Sequence, residues 1–269
     1  MPLHPKKILT HYDLKPKKSL GQNFLWEDDI LQKIVDAGAV TSHDYVLEIG
    51  PGLGALTQQL AQTAKSVTAV ELDQRYLPIL KTELEPYDNV TIIHGDILEQ
   101  NLDTLFDTDY KIIANVPSYI TGAILRHVLN YERKPTTVVM TVQKEVADRV
   151  VAAPPKMSML AVSVQVYGNV KKLDDIKAGA FWPRPDVDSA VIRIDVEPNK
   201  VPENEKAFFR VVKAGFSQKR KQLQKNLRQL TPDRDHIYKA LESANIDPQR
   251  RAETLTISEW QALTNEMTP

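Results

Sequence analysis

Leu47-Glu48-Ile49-Gly50-Pro51-Gly52-Leu53-Gly54 is the stretch whose reading decides the fold. The apolar run Tyr45–Ile49 reads as a strand, and residues 54–63 carry the 3.6-residue periodicity of a helix. Three glycines between a strand and a helix let the backbone take positive φ and approach a ligand closely. Their G-x-G-x-G spacing departs from the G-x-G-x-x-G of dinucleotide-binding loops. A plain tight turn would also explain the glycines, so the case rests on the residues around them.

Outward from the loop, Ser66–Glu71 is the next strand pattern and residues 74–84 the next helix. The apolar runs Val90–His94, 110–114 and 136–142 follow, with a helical pattern over 120–130 between the last two. Such strand–helix alternation predicts an α/β fold, a parallel sheet with helices on both faces. Two further β-rich stretches, near 169–176 and 188–196, add strands at one edge. The segment 197–205, with Pro198 and Pro202, reads as a linker. Beyond it lie helical patterns over 206–228, 233–244 and 258–266, without strand signals. The expected organisation is an α/β domain over residues 1–200 and a small helical domain over 201–269.

Two acids give the loop a partner chemistry. Glu71 ends the second strand about 20 residues after the loop, where a carboxylate can accept from both hydroxyls of a ribose. Asp96 closes the third strand in Gly95-Asp96-Ile97-Leu98, placed to accept from an adenine amino group. Each acid alone reads equally as a surface loop residue or a helix N-cap. Together, loop, acid and acid at three successive strand ends point to a nucleoside-bearing cofactor at the carboxyl edge of the sheet.

Composition limits the function classes. The hydrophobic fraction of 42% and charged fraction of 26% are those of an ordinary soluble globular protein. Cysteine is absent, which excludes disulfides and thiolate metal sites, and no metal site is expected. No apolar run reaches the length of a membrane span. The first 25 residues carry Lys6, Lys7, Lys15, Lys17 and Lys18 but no apolar core of a leader, so a cytoplasmic protein is expected. The net charge of −1 conceals two basic clusters. One is that lysine set, opposed only by Asp13; the other is Lys206, Arg210, Lys213, Lys219, Arg220, Lys221, Lys225 and Arg228, with no acid among residues 206–228. Clusters of this kind suit a phosphate backbone, and a solvated basic helix face is the alternative.

At the end of the fourth strand stands Asn115-Val116-Pro117-Ser118, followed by Tyr119. An exocyclic adenine amine is a poor nucleophile because its lone pair is delocalised into the ring. An Asn side-chain oxygen and a neighbouring carbonyl can accept its two protons and favour a tetrahedral nitrogen, so that positioning does most of the work. Read alone, Asn-x-Pro is also an ordinary turn.

These stretches together resemble the ribosomal RNA adenine dimethyltransferase family, of the bacterial small-subunit type. The resemblance runs over nearly the whole chain. It rests on Lys18-Ser19-Leu20-Gly21-Gln22-Asn23-Phe24-Leu25, the loop at 48–57, Glu71, Gly95-Asp96, Asn115-x-Pro117 and Gln143-Lys144-Glu145-Val146. Phe181-x-Pro183-x-Pro185-x-Val187-x-Ser189 and the basic stretch 216–227 complete it. It implies a Rossmann-like class I S-adenosylmethionine-dependent methyltransferase sheet, with S-adenosylhomocysteine as product. Asn23 and Leu25 would contact the cofactor from an N-terminal segment, and Gly50, Gly52, Glu71, Asp96, Ile97 and Asn115 would complete its pocket. Asn115, Val116, Pro117, Ser118, Tyr119 and Phe181 would form the catalytic set, with Phe181 packed on the target adenine. Lys18, Lys219, Arg220 and Lys221 would meet RNA. The implied substrate is a pair of adjacent adenines near the 3′ end of small-subunit ribosomal RNA in the assembling 30S subunit, met by a monomer.

The chain departs from the family at Ser118, where an aromatic normally stacks on the target base. Tyr119 follows directly but need not point the same way. Stacking is worth on the order of 1–3 kcal/mol per base, so the change bears on adenine capture rather than on cofactor binding. Three other readings stand beside this one: a large-subunit adenine methyltransferase of the macrolide-resistance type, a weakly catalytic assembly factor, and a nucleotide oxidoreductase. The 181–189 segment and Gln143-Lys144-Glu145-Val146 favour the small-subunit type, and the glycine spacing disfavours the oxidoreductase.

Overall fold

Strands β1 (Phe24–Leu25), β2 (Tyr45–Ile49), β3 (Ser66–Glu71), β4 (Val90–His94) and β5 (Tyr110–Asn115) are followed by β6 (Thr137–Gln143), β7 (Gly168–Ile176), β8 (Phe181–Trp182) and β9 (Ser189–Val196). The structure is a computed structural model that describes residues 3–116 and 120–268. Seven of the strands form one sheet in the order β4-β3-β2-β5-β6-β9-β7. From β4 to β6 every pairing is parallel, and β9 runs antiparallel to β6. Val46, Leu47, Ile112, Ile113, Val138 and Val139 on the three central strands are all 0% exposed. That continuous burial is what a parallel sheet covered on both faces demands.

Two helices precede the glycine loop, α1 (Pro5–His11) and α2 (Asp28–Ala37). The latter buries Leu31, Ile34 and Val35 in one core with Leu56 and Leu60. Its spacing of apolar residues at i, i+3 and i+4 is that of an amphipathic helix, and Asp28 and Asp29 in its first turn complement the helix dipole. The expected helices after the loop are present as α3 (Ala55–Thr63), α4 (Leu77–Glu83) and α6 (Thr121–Leu129). The shorter α5 (Leu102–Leu105) and α7 (Lys144–Val150) stand before β5 and after β6.

The chain divides into two compact units, Met1–Ala147 with Lys171–Val196, and Asp148–Val170 with Glu197–Pro269. The second unit therefore takes in 148–170, which sequence pattern alone assigns to the larger domain. It contains α8 (Met159–Gln165), α9 (Glu205–Gly215), α10 (Leu223–Asn226), α11 (Arg234–Ser243) and α12 (Ile257–Met267). Thr256 and Glu259 form a capping box at the start of α12. The 197–205 linker holds only a 3₁₀ turn, Pro198–Lys200, before α9 begins.

The continuous helix expected over 206–228 is not formed. It stops at Gly215, and residues 216–222 make a turn before α10. Asn226 is buried, and its Nδ2 donates to the Gly215 carbonyl at 2.5 Å and the Gln218 carbonyl at 3.1 Å. The first of these bonds holds a carbonyl that the helix end leaves unpaired, and the second ties in the turn that follows. Lys219, Arg220 and Lys221 therefore stand exposed on a turn rather than on one turn of helix.

Candidate cofactor and active site

The site is built at the carboxyl ends of β2, β3, β4 and β5. Gly50, Gly52 and Gly54 all take positive φ, at 72°, 58° and 86°, which the strand-to-helix reversal requires. A Cβ on Gly50 would meet nothing within 4 Å, so this face of the loop opens into free space. Gly50 N–H donates to the Val70 carbonyl at 3.0 Å, tying the loop to β3.

Glu71 ends β3 and is only 5% exposed. Its Oε2 accepts from Gly52 N–H at 2.9 Å and its Oε1 from Asp73 N–H at 2.7 Å. Two donors on separate oxygens fix the carboxylate plane while each oxygen keeps a further lone pair. Burial raises the Glu71 pKa, and the backbone donors of Asp73, Gly52 and Leu72 partly offset that rise. Asp96 caps the 3₁₀ turn Ile97–Glu99 through Oδ1, which accepts from Leu98 N–H at 2.9 Å. The N-cap reading of Asp96 thus holds, and the same residue lines the cavity.

One cavity of about 740 Å³ joins these groups. Its wall includes Asn23, Leu25, Gly50, Gly52, Glu71, Asp96, Ile97, Asn115, Val116, Phe181 and Lys18, so the expected cofactor residues and three of the six expected catalytic ones lie around one space. Asn115 is half-buried at the end of β5, in register with Thr141 of β6. Leu25 on β1 pairs with Phe181 on β8, and both belong to the apolar core with Leu31 and Leu56. Phe181 is 5% exposed, so it offers the cavity little of its ring, whereas the adjacent Trp182 is half-buried and also lines it. Pro117, Ser118 and Tyr119 lie outside the described residues. Lys219, Arg220 and Lys221 belong to the second unit.

Two cavity residues carry features that sequence reasoning misses. Glu48 is 1% exposed, and its Oε2 has no hydrogen-bond partner among the described residues. Burial, reinforced by the nearby Glu71, raises its pKa to about 8, so it is largely protonated at neutral pH. Thr141 Oγ1 is likewise buried without such a partner. The sequence signal for both is a polar residue inside an otherwise apolar strand.

A sheet of this order, with its ligand space at the carboxyl edge and acids closing β3 and β4, has the class I S-adenosylmethionine-dependent methyltransferase fold. The solved dimethyladenosine transferase of Plasmodium falciparum superposes with a TM-score of 0.79 at 24% identity, covering 89% of this chain and 95% of its own. The solved 23S rRNA methyltransferase ErmE does so at 0.74 and 24% identity, covering 92% and 100%. The chain belongs to the ribosomal RNA adenine dimethylase family, which matches residues 13–268. Proteins named ribosomal RNA small subunit methyltransferase A are similar over nearly its whole length. That of Bacillus pumilus is 44% identical over 98% of this chain and 95% of its own. That of Geobacillus thermodenitrificans is 43% identical over 100% and 96%.

The residues present fit S-adenosylmethionine. The cavity lies within the usual size of small-molecule pockets, roughly 300–1,000 Å³. The open face of Gly50 leaves room for a ligand beside the backbone, and the unpartnered Glu48 Oε2 leaves a polar atom for it to meet. Replacing Glu71 with alanine is expected to weaken cofactor binding by about 1.5–3 kcal/mol, the loss for hydrogen bonds to a charged group. Acidification should act in the same direction in the native chain. Protonation removes the negative charge and turns one acceptor oxygen into a donor, and the raised Glu71 pKa starts that loss at a higher pH than for a free carboxylate. Calorimetry with S-adenosylhomocysteine reads both effects, and native affinity in Glu71→Ala would remove the residue from the site.

Proposed function

We propose that this chain transfers methyl groups from S-adenosylmethionine to N6 of two adjacent adenines near the 3′ end of small-subunit ribosomal RNA, acting as a cytoplasmic monomer on the assembling 30S subunit. The observation that carries the reading is the placement of the glycine loop, Glu71, Asp96 and Asn115 around one cavity. When bound, the cofactor supplies an electrophilic methyl on a sulfonium and is released as S-adenosylhomocysteine.

Glu71 uses its remaining lone pairs to accept from the two ribose hydroxyls. Asp96, with Oδ1 committed to its cap, accepts from the cofactor adenine through Oδ2. Leu25 and Ile97 supply apolar wall and limit water beside the reacting groups. Asn115 Oδ1 accepts a hydrogen bond from the target amine, which turns the nitrogen lone pair toward the methyl group, and the methylated nitrogen then gives up its proton to solvent. Phe181 and its half-buried neighbour Trp182 bound the space where the target base would enter. No step of this scheme calls for a metal.

Relatives above 40% identity over nearly the whole chain carry the small-subunit name, which supports the small-subunit substrate. Incubating the protein with undermethylated small subunits and labelled cofactor, then mapping modified bases, tests the proposal. Label at the two adjacent adenines is the expected result; label only at other bases, or none, would reject it.

The basic turn of the second unit is assigned to the RNA backbone. Replacing Lys219, Arg220 and Lys221 together with alanine should weaken RNA binding at moderate salt. It should also flatten the dependence of log K on log salt by about 0.7–0.9 for each phosphate no longer neutralised. S-adenosylhomocysteine affinity should not change. An unaltered salt slope would leave the three side chains as a solvated surface.

A further inference from the structure

Residues 15–25 form a strap whose far end carries Asn23 and Leu25 to the cavity. It is tied at two places. Phe24 and Leu25 pair with Trp182 and Phe181, and Phe24 lies against the glycine loop, its ring within 3.2 Å of where a Cβ on Gly52 would stand. The second tie is polar. Gln22 Nε2 donates to Asp73 Oδ2 at 2.9 Å, across 51 residues of sequence. Gln22 Oε1 accepts from Tyr76 Oη and from the backbone N–H of Lys17, each at 2.6 Å.

Asp73 is the hub. Its side chain is 2% exposed, and hydrogen bonding from the Arg75 guanidinium holds its carboxyl well below the usual carboxylate range. Arg75 in turn donates to the Lys15 carbonyl at 3.2 Å, a second grip on the strap. The backbone N–H of the same Asp73 donates to Glu71 Oε1. A continuous run of bonds therefore leads from Gly52 N–H through Glu71 and Asp73 to Gln22 and the strap backbone. The strap and the Glu71 carboxylate are thus both bonded to one residue, Asp73, the first through its side chain and the second through its backbone N–H.

We infer that Gln22, Asp73 and Arg75 form a latch that holds the 15–25 strap over the cofactor and sets the Glu71 carboxylate. Gln22 and Asp73 are positioning residues, acting through Glu71, Asn23 and Leu25. The inference rests on the S-adenosyl nucleoside reading of the cavity. It adds that affinity depends on the hydrogen bond from Gln22, which borders the cavity beside Asn23, to Asp73, which does not line it.

Gln22→Glu isolates that bond, because it keeps the acceptor toward Lys17 N–H and Tyr76 Oη. It replaces the amide donor with a carboxylate facing the Asp73 carboxylate, next to Lys17, Arg75 and the buried Glu71. Affinity for S-adenosylhomocysteine should fall about tenfold. Amide exchange over 15–25 should quicken in the ligand-free protein, as should tryptic cleavage after Lys17 and Lys18. The double variant Gln22→Glu with Asp73→Asn restores one donor and one acceptor with their roles reversed, and moves the carboxylate that faces the Arg75 guanidinium from residue 73 to residue 22. It should recover affinity to within about threefold of native, together with strap protection. Native affinity and strap protection in Gln22→Glu, or failure of the double variant to recover either, would overturn the latch. If the native chain does not bind S-adenosylhomocysteine, the functional reading falls. Strap protection in the ligand-free protein still decides whether the latch exists.

Discussion

Replacing Asn115 with alanine is expected to lower the rate of methyl transfer about 100-fold or more, while S-adenosylhomocysteine affinity falls by no more than about tenfold. The asymmetry follows from what the side chain does. Its oxygen accepts a hydrogen bond from the target amine, so its removal takes positioning away from the reacting nitrogen. Misplacement on the scale of 1 Å costs on the order of 100-fold in rate. The glycine loop and Glu71, which hold the other end of the cofactor, are untouched. Asn115 is half-buried at a strand end, so the fold should tolerate the change. Asn115→Asp keeps an oxygen acceptor and should retain more activity than Asn115→Ala. Single-turnover methylation of undermethylated small subunits provides the measurement. Equal rates for Asn115→Ala and the native chain would remove the residue from the catalytic role.

The second large effect is on stability. Trp260 on α12 is 0% exposed and packs where α9 ends: a Cβ on Gly215 would collide with its ring, and the Phe216 ring centroid is 5.5 Å away. Trp260→Ala should cost about 3–5 kcal/mol in the unfolding of the second unit, from reduced burial plus the cavity left behind. The turn at 216–222 begins beside this ring, so RNA affinity should fall in the same variant even though no basic side chain is removed. Trp260→Phe should cost much less. The indole Nε1 has no hydrogen-bond partner among the described residues, so this substitution breaks no hydrogen bond there. Denaturant titration followed by circular dichroism measures the difference. A loss below about 1 kcal/mol in Trp260→Ala would mean that the ring is not the centre of this core.

The alternation of strand and helix from residue 45 to 143 is legible in sequence because each element is signalled locally. Period-2 or continuous apolar runs, glycine punctuation and acids at strand ends all act within a few residues. The same locality makes Gly50, Gly52, Glu71 and Asp96 readable as a group, since each is tied to the end of its own strand. Asn23, Leu25 and Phe181 are reached only through family resemblance. Their places depend on β1 pairing with β8 across more than 150 residues, which no local pattern announces. Glu48 is visible as an acid beside the glycines, but its raised pKa comes from the layers that bury it.

By itself, the sequence determined the parallel sheet, the glycine loop with its two acids, and the helical character of the C-terminal stretch. These follow from side-chain periodicity and from backbone preferences that act over a few bonds. Tertiary structure alone decided that the helix from residue 205 ends at Gly215. The buried Asn226 amide holds its last carbonyl, and Trp260 occupies the space beside it. It likewise decided that residues 148–170 join the second unit, and that Gln22 meets Asp73. Each of these outcomes turns on groups distant in sequence competing for one buried donor, acceptor or volume, and that competition exists only once the chain has packed.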